Sequence, residues 1–127
     1  MIKELYEEFS KIEKSFYNNM SEAFDKECEQ LFKEYPQLLS FSWTQYTPYF
    51  NDGDSCTFSV YPYFDQEDDI EFKTIQPDSV RLEIVSALEN IIGYMPLSLM
   101  QNKFGDHVQI RIYKNRTEIN DYDHDHD

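Results

Sequence analysis

The stretch with the most chemical potential is Asp121-Tyr122-Asp123-His124-Asp125-His126-Asp127, where carboxylates alternate with imidazoles. Neutral imidazole nitrogens and carboxylate oxygens ligate divalent metals, so Asp123, His124, Asp125 and His126 are the candidate ligands. Against that, residues two apart on a strand point to opposite sides, and no spacing typical of a closed zinc site is present. The tail reads better as a solvated acidic terminus, and no cofactor is expected. Asp52-Gly53-Asp54 has the look of the centre of a calcium loop, which would place Asp52 and Asp54 near such an ion. Its flanks alternate like strands and lack the bidentate Glu, so a hairpin turn is the better reading. His107, Asp106 and Cys56 are the parts of a nucleophile, base and orienting acid. The alternation sets His107 outward on a strand and Cys56 inward, which keeps them apart. Only three glycines occur in the chain, which leaves no Gly-rich loop to cradle phosphate. Carboxylates are too numerous to single out an acid–base pair. The expectation is a protein that is not an enzyme, with a small enzyme of unknown type as an alternative.

Two segments suit binding instead. Trp43-Thr44-Gln45-Tyr46-Thr47-Pro48-Tyr49-Phe50 carries four aromatics and no charge, the composition of a protein-binding hot spot. Trp43 shares a face with Phe41 and belongs to the core, which leaves Tyr46, Tyr49 and Phe50, around the Pro48 break, for exposure. Asp65 to Glu71 holds five acids in seven residues, with Asp65, Glu67, Asp68 and Asp69 the candidate contacts. The whole chain has 25 Asp and Glu against 11 Lys and Arg, a formal charge of −14. Such a surface repels nucleic-acid backbones and anionic lipid heads and attracts a basic protein surface.

The elements that must position these residues follow from periodicity. Apolar residues recur every three or four positions from Ile2 through Leu5, Phe9, Ile12, Phe16, Met20, Phe24, Cys28 and Leu31 to Tyr35, the stripe of an amphipathic helix. Unbroken, such a helix is about 50 Å long, so a break is expected at Asn18, Asn19 and Ser21, with Ser21 as a cap. If it is unbroken, Ile2 to Phe16 are left uncovered and a second copy can cover them, giving a homodimer through the N-terminal helix. Pro36 ends the helix. Leu39, Phe41 and Trp43 then alternate inward along a strand. Cys56, Phe58 and Val60 form its hairpin partner across the turn at Asn51 to Asp54, and Pro62 closes it. A short strand falls near Ile70 and Phe72. Pro77 suits a first helical position, and Val80, Ile84, Val85, Leu88, Ile91 and Ile92 make one face of a helix ending at Gly93. A short helical piece near Pro96 to Lys103, a strand from His107 to Tyr113 and a last strand from Thr117 to Tyr122 complete the chain.

A chain of 127 residues with ten Phe, ten Tyr and one Trp has material for one shared core. The expected fold is one α+β domain over 1–127, with a short acidic tail at 121–127. A mostly antiparallel sheet of four to five strands carries a long or broken N-terminal helix and a second helix on one face. Neither a secretory leader nor a membrane span is legible, so Cys28 and Cys56 read as free thiols in a reducing compartment.

The phrase Trp43-Thr-Gln-Tyr-Thr-Pro-Tyr-Phe-Asn-Asp-Gly-Asp54, with Phe104-Gly-Asp-His-Val108 and Asp121-Tyr-Asp-His-Asp125, resembles a family of small uncharacterised bacterial and bacteriophage proteins over about residues 36–125. The resemblance implies a cytoplasmic setting in a bacterium or phage-infected bacterium and names no catalytic residue. In a phage setting, a small acidic protein with an aromatic surface is similar in type to inhibitors of host nucleic-acid-binding or defence proteins. The expected function is therefore an acidic, non-enzymatic interaction module with a basic protein partner, and the alternative is a divalent-metal protein using the C-terminal tail.

Overall fold

A computed structural model describes residues 1–49 and 56–124. The expected turn at Asn51 to Asp54 therefore lies outside the described residues, as do Phe50, Asp125 and His126. Helix α1 (Ile2–Glu34) leads into strand β1 (Leu38–Tyr46). Strand β2 (Ser59–Tyr61), a 3-10 turn (Glu67–Asp69) and strand β3 (Ile70–Phe72) follow, then helices α2 (Asp78–Gly93) and α3 (Leu97–Phe104) and strands β4 (Val108–Tyr113) and β5 (Thr117–Asp121). This is the α+β arrangement the periodicity predicts, with five antiparallel strands.

Strand β1 is the centre of the sheet. One edge pairs with β4, which pairs with β5; the other edge is shared end to end by β2, opposite Thr44–Tyr46, and β3, opposite Leu38–Phe41. The register sets Phe41 beside Ile112, Trp43 beside Ile110 and Gln45 beside Val108 on one face. There they meet Phe24, Leu31, Phe32, Ile84, Leu88, Met100 and Phe104 of the helices in a single core. Trp43 takes Phe24 and Phe104 edge-on at 6.1 and 5.3 Å, a favoured packing of aromatic quadrupoles. The opposite face, free of helices, carries Ser40, Ser42, Thr44, Tyr46, Gln109, Arg111 and Tyr61.

Several expectations are corrected. Helix α1 runs without a break through Asn18, Asn19 and Ser21, and Ser21 is an interior residue whose hydroxyl accepts from Lys103 Nζ at 2.6 Å. From Tyr17 onward α1 is tied to the domain, beginning with Tyr17 Oη and Ser98 Oγ at 2.8 Å. Leu39 is exposed, because the register shifts between Leu38 and Ser40 and this bulge turns Leu38 to the core in its place. Cys56 is exposed and precedes β2 instead of lying inward on it, while Cys28 is a buried free thiol. Pro77 stands one position ahead of α2, as its N-cap. His107 precedes β4 with φ 55°, so it is a turn residue and not a strand residue.

Phe24 is 1% exposed at the centre of the ring cluster and Leu82 is 66% exposed. Phe24→Ala is expected to lower the unfolding free energy by about 3–5 kcal/mol, and Leu82→Ala to change it by no more than about 0.5 kcal/mol, both read by urea denaturation.

Candidate functional site

The end of β1 is fixed by two polar side chains. Gln45 is fully buried; its Oε1 accepts from Trp43 Nε1 at 3.1 Å and its Nε2 donates to the carbonyls of Met100 and Gly105, both at 2.8 Å. Both N–H donors and the oxygen of the amide are thereby engaged, as burial demands. Two residues on, the Asp106 carboxylate accepts from Thr47 N (2.8 Å), Thr47 Oγ1 (2.7 Å), Gln101 Nε2 (3.1 Å) and His107 N (2.8 Å). Burial pushes the Asp106 pKa up, but these bonds, with the nearby His107, outweigh it and hold the carboxyl below its ordinary 3.8. Gly105, with φ 105° and ψ 178°, supplies a backbone conformation that suits glycine alone and lets the α3–β4 turn reach Gln45.

Beyond this junction the three segments singled out in the sequence converge. His107 Nδ1 and His124 Nε2 lie 2.6 Å apart. Their ring centroids are 4.8 Å apart with planes 10° from parallel, so the imidazoles lie edge to edge in nearly one plane and share one hydrogen bond. Tyr49 lies parallel to His124 at 4.4 Å and Tyr46 at 3.9 Å. Two rings so close and so parallel to one imidazole cannot occupy the same side of it, which sandwiches His124 between the tyrosines. Tyr46 then stacks on Tyr61 at 4.3 Å and leans on Tyr122 at 5.6 Å.

This aromatic run forms one wall of a groove of about 370 Å³ on the helix-free face of the sheet. Tyr46, Tyr61, Tyr63 and Tyr122 line it, Ser42 and Gln109 lie along the sheet, and Asp65, Asp68 and Asp69 stand at the rim. Arg81 holds the acidic turn by its backbone, donating to the carbonyls of Phe64, Gln66 and Glu67, and Arg111 donates to that of Asp68. The arginine charges are thus spent on carbonyls and on Glu71. Asp69 accepts from Gln66 N, whereas among the described residues no cation pairs with Asp65, Glu67 or Asp68. Phe64, buried with φ 49°, bears a backbone conformation uncommon for an aromatic residue where the chain turns into the acidic segment. Ser42 Oγ is buried without a hydrogen-bond partner among the described residues.

The predicted site residues therefore divide. Asp65, Asp68 and Asp69 join the groove; Glu67 is exposed beside it. Tyr46 joins it too, but the exposure expected of it is corrected: it is 7% exposed, because His124 and Tyr61 cover its ring. Tyr49 is 61% exposed. Of the tail, Asp123 is exposed while His124 is buried, with Nε2 engaged by His107 and Nδ1 without a partner among the described residues. Among the described residues no three His, Cys, Asp or Glu side chains are grouped to hold a metal. Tyr61, Tyr63, Gln109, Tyr122 and Ser42 were not legible as site residues; the alternation that puts Ser42 and Thr44 opposite Phe41 and Trp43 was the available signal. No family model, curated protein or solved structure matches the chain. No helix among the described residues is long and apolar enough to cross a membrane.

Asp106→Ala strands four donors and is expected to lower the unfolding free energy by about 2–3 kcal/mol at neutral pH. Because folding depresses this pKa, its contribution is complete above the ordinary 3.8 and is lost as pH falls through the lower folded value. Urea denaturation of wild type and variant should therefore converge below pH 3.8; a gap that stays constant to the acid limit would contradict the assignment.

Proposed function

We propose that this protein is a non-enzymatic interaction module that captures a basic protein partner by seating a lysine or arginine side chain in the tyrosine-walled groove. The observation that carries this reading is the conjunction at one place of uncompensated carboxylates and aromatic faces. Asp65 and Asp68 lack a cationic partner among the described residues and border the same cavity as Tyr46, Tyr61, Tyr63 and Tyr122. A cation over a tyrosine face gains about 0.5–2 kcal/mol, depending on desolvation. Carboxylates at the rim direct it, and the Ser42 hydroxyl, without a partner among the described residues, offers an acceptor at the sheet.

Magnitudes decide what kind of partner fits. A cation–π contact of up to about 2 kcal/mol and one or two exposed ion pairs of up to about 1 kcal/mol each reach at most the roughly 4 kcal/mol of a millimolar complex. A single free amino acid is therefore too small a ligand, and a surface bearing several basic residues is required. The formal charge of −14 accelerates approach to such a surface. Where that surface is the partner's own nucleic-acid groove, capture blocks it, and the module acts as an inhibitor. A phage-borne role against a host protein belongs to this same proposal.

Isothermal titration with octalysine and octaarginine should show binding that weakens about tenfold or more between roughly 50 and 300 mM salt, as screening shortens the reach of the rim charges. Asp65→Lys with Asp68→Lys should abolish the heat, and Tyr61→Ala should weaken binding about threefold to thirtyfold. Absence of heat with both peptides, or binding indifferent to salt, would overturn the proposal.

A further inference from the structure

The first half of α1 stands clear of the domain. Ile2, Leu5, Tyr6, Phe9, Ile12 and Phe16 are between 49% and 84% exposed, whereas the helix buries its first residue only at Phe24. These six side chains present on the order of 800 Å² of surface. The largest apolar patch on a typical monomer is about 300–600 Å², and a standard interface takes about 800 Å² from each partner. Fifteen residues of helix without tertiary contacts are also marginally stable in water. We infer that a second copy of this chain covers this arm, two α1 arms pairing antiparallel in a short coiled coil.

Two observations on the arm select a second copy as its occupant. The apolar positions Ile2, Leu5, Phe9, Ile12 and Phe16 are spaced by three, four, three and four residues, the heptad seam that packs against a helix of the same kind. The arm is also where like chains meet with least repulsion. Residues 1–16 carry three lysines and four glutamates, so all but one unit of the formal −14 lies on the remaining residues.

That distribution also sets the orientation. Parallel arms place the two acidic bodies side by side, whereas antiparallel arms place them at opposite ends of the pair and close a two-fold interface. Antiparallel packing sets Leu5 of one copy against Phe16 of the other and Phe9 against Ile12. Tyr6 then flanks Glu13 and Glu8 flanks Ser15, with no like charges opposed.

Sedimentation equilibrium of the full chain at about 10–100 μM, above a micromolar dissociation constant, should give twice the chain mass of 15.3 kDa. Phe9→Glu with Ile12→Glu, both at solvent-exposed positions of the single chain, should restore 15.3 kDa with an unchanged near-ultraviolet circular dichroism spectrum. In a Cys56→Ser background, where burial first and Asp25 and Glu27 next push the Cys28 thiol up to about 12, that thiol is inert. There, Leu5→Cys with Phe16→Cys should oxidise to a covalent dimer and Leu5→Cys alone should not. A wild type at 15.3 kDa throughout, including one that instead floats with phosphatidylcholine vesicles, would overturn the inference, as would a Phe9→Glu, Ile12→Glu chain that stays dimeric or a covalent dimer from Leu5→Cys alone.

Discussion

The site depends on the fixing of the C-terminal end of β1 to the turn between α3 and β4. Gln45 and Asp106 do this together, one amide and one carboxylate that satisfy the backbone of Met100, Gly105, Thr47 and His107. Both groups are withdrawn from water, so each bond removed leaves a buried or half-buried polar group unpaired, which costs more than the bond's own net worth. The carbonyl of His107 then accepts from Tyr122 N at 2.8 Å, and the end of β5 is carried into place. The junction thus adds to the β1–β2 and β4–β5 pairings that bring Tyr46, Tyr61 and Tyr122 together.

The proposed receptor groove comes at a cost to the fold. Packing Asp65, Glu67, Asp68 and Asp69 into one turn is unfavourable by mutual repulsion, and two arginines offset it by gripping the backbone carbonyls instead of the carboxylates. The turn is thereby ordered while its negative charge is left facing solvent. On the wall, stacking of Tyr46 between His124 and Tyr61 consumes its faces and leaves the more exposed Tyr63 and the rim to meet a ligand. The imidazole pair supports the wall. His107 Nδ1 and His124 Nε2 face each other at 2.6 Å, which ties the turn before β4 to the segment after β5.

Much of the architecture was legible because it rests on period. Val108, Ile110 and Ile112 alternate inward as their spacing requires, and Ile84, Leu88 and Ile92 make the buried stripe of α2. Local rules failed where tertiary contact overrides them. Asn18 and Asn19 do not interrupt α1, because asparagine lowers helix propensity only modestly and is not a strong breaker. Leu39 yielded its inward place to Leu38 through a bulge that alternation cannot reveal. The burial of Tyr46 is not legible in the sequence, which gives no sign that His124, 78 positions later, covers it. The acidic half of the site was visible as a charge run, whereas its aromatic half needed the pairing of β1 with β2 to bring Tyr61 beside Tyr46.

The central claim is that the acidic turn and the tyrosine wall act as one receptor for a basic side chain. Its most direct measurement is a nuclear magnetic resonance titration with a short peptide of alternating lysine and arginine, following backbone amides and tyrosine ring protons together. The account predicts that shifts concentrate on the amides of residues 65–69 and on the rings of Tyr46, Tyr61, Tyr63 and Tyr122. Shifts spread evenly over all acidic surfaces, or confined to α1 with the groove silent, would contradict it.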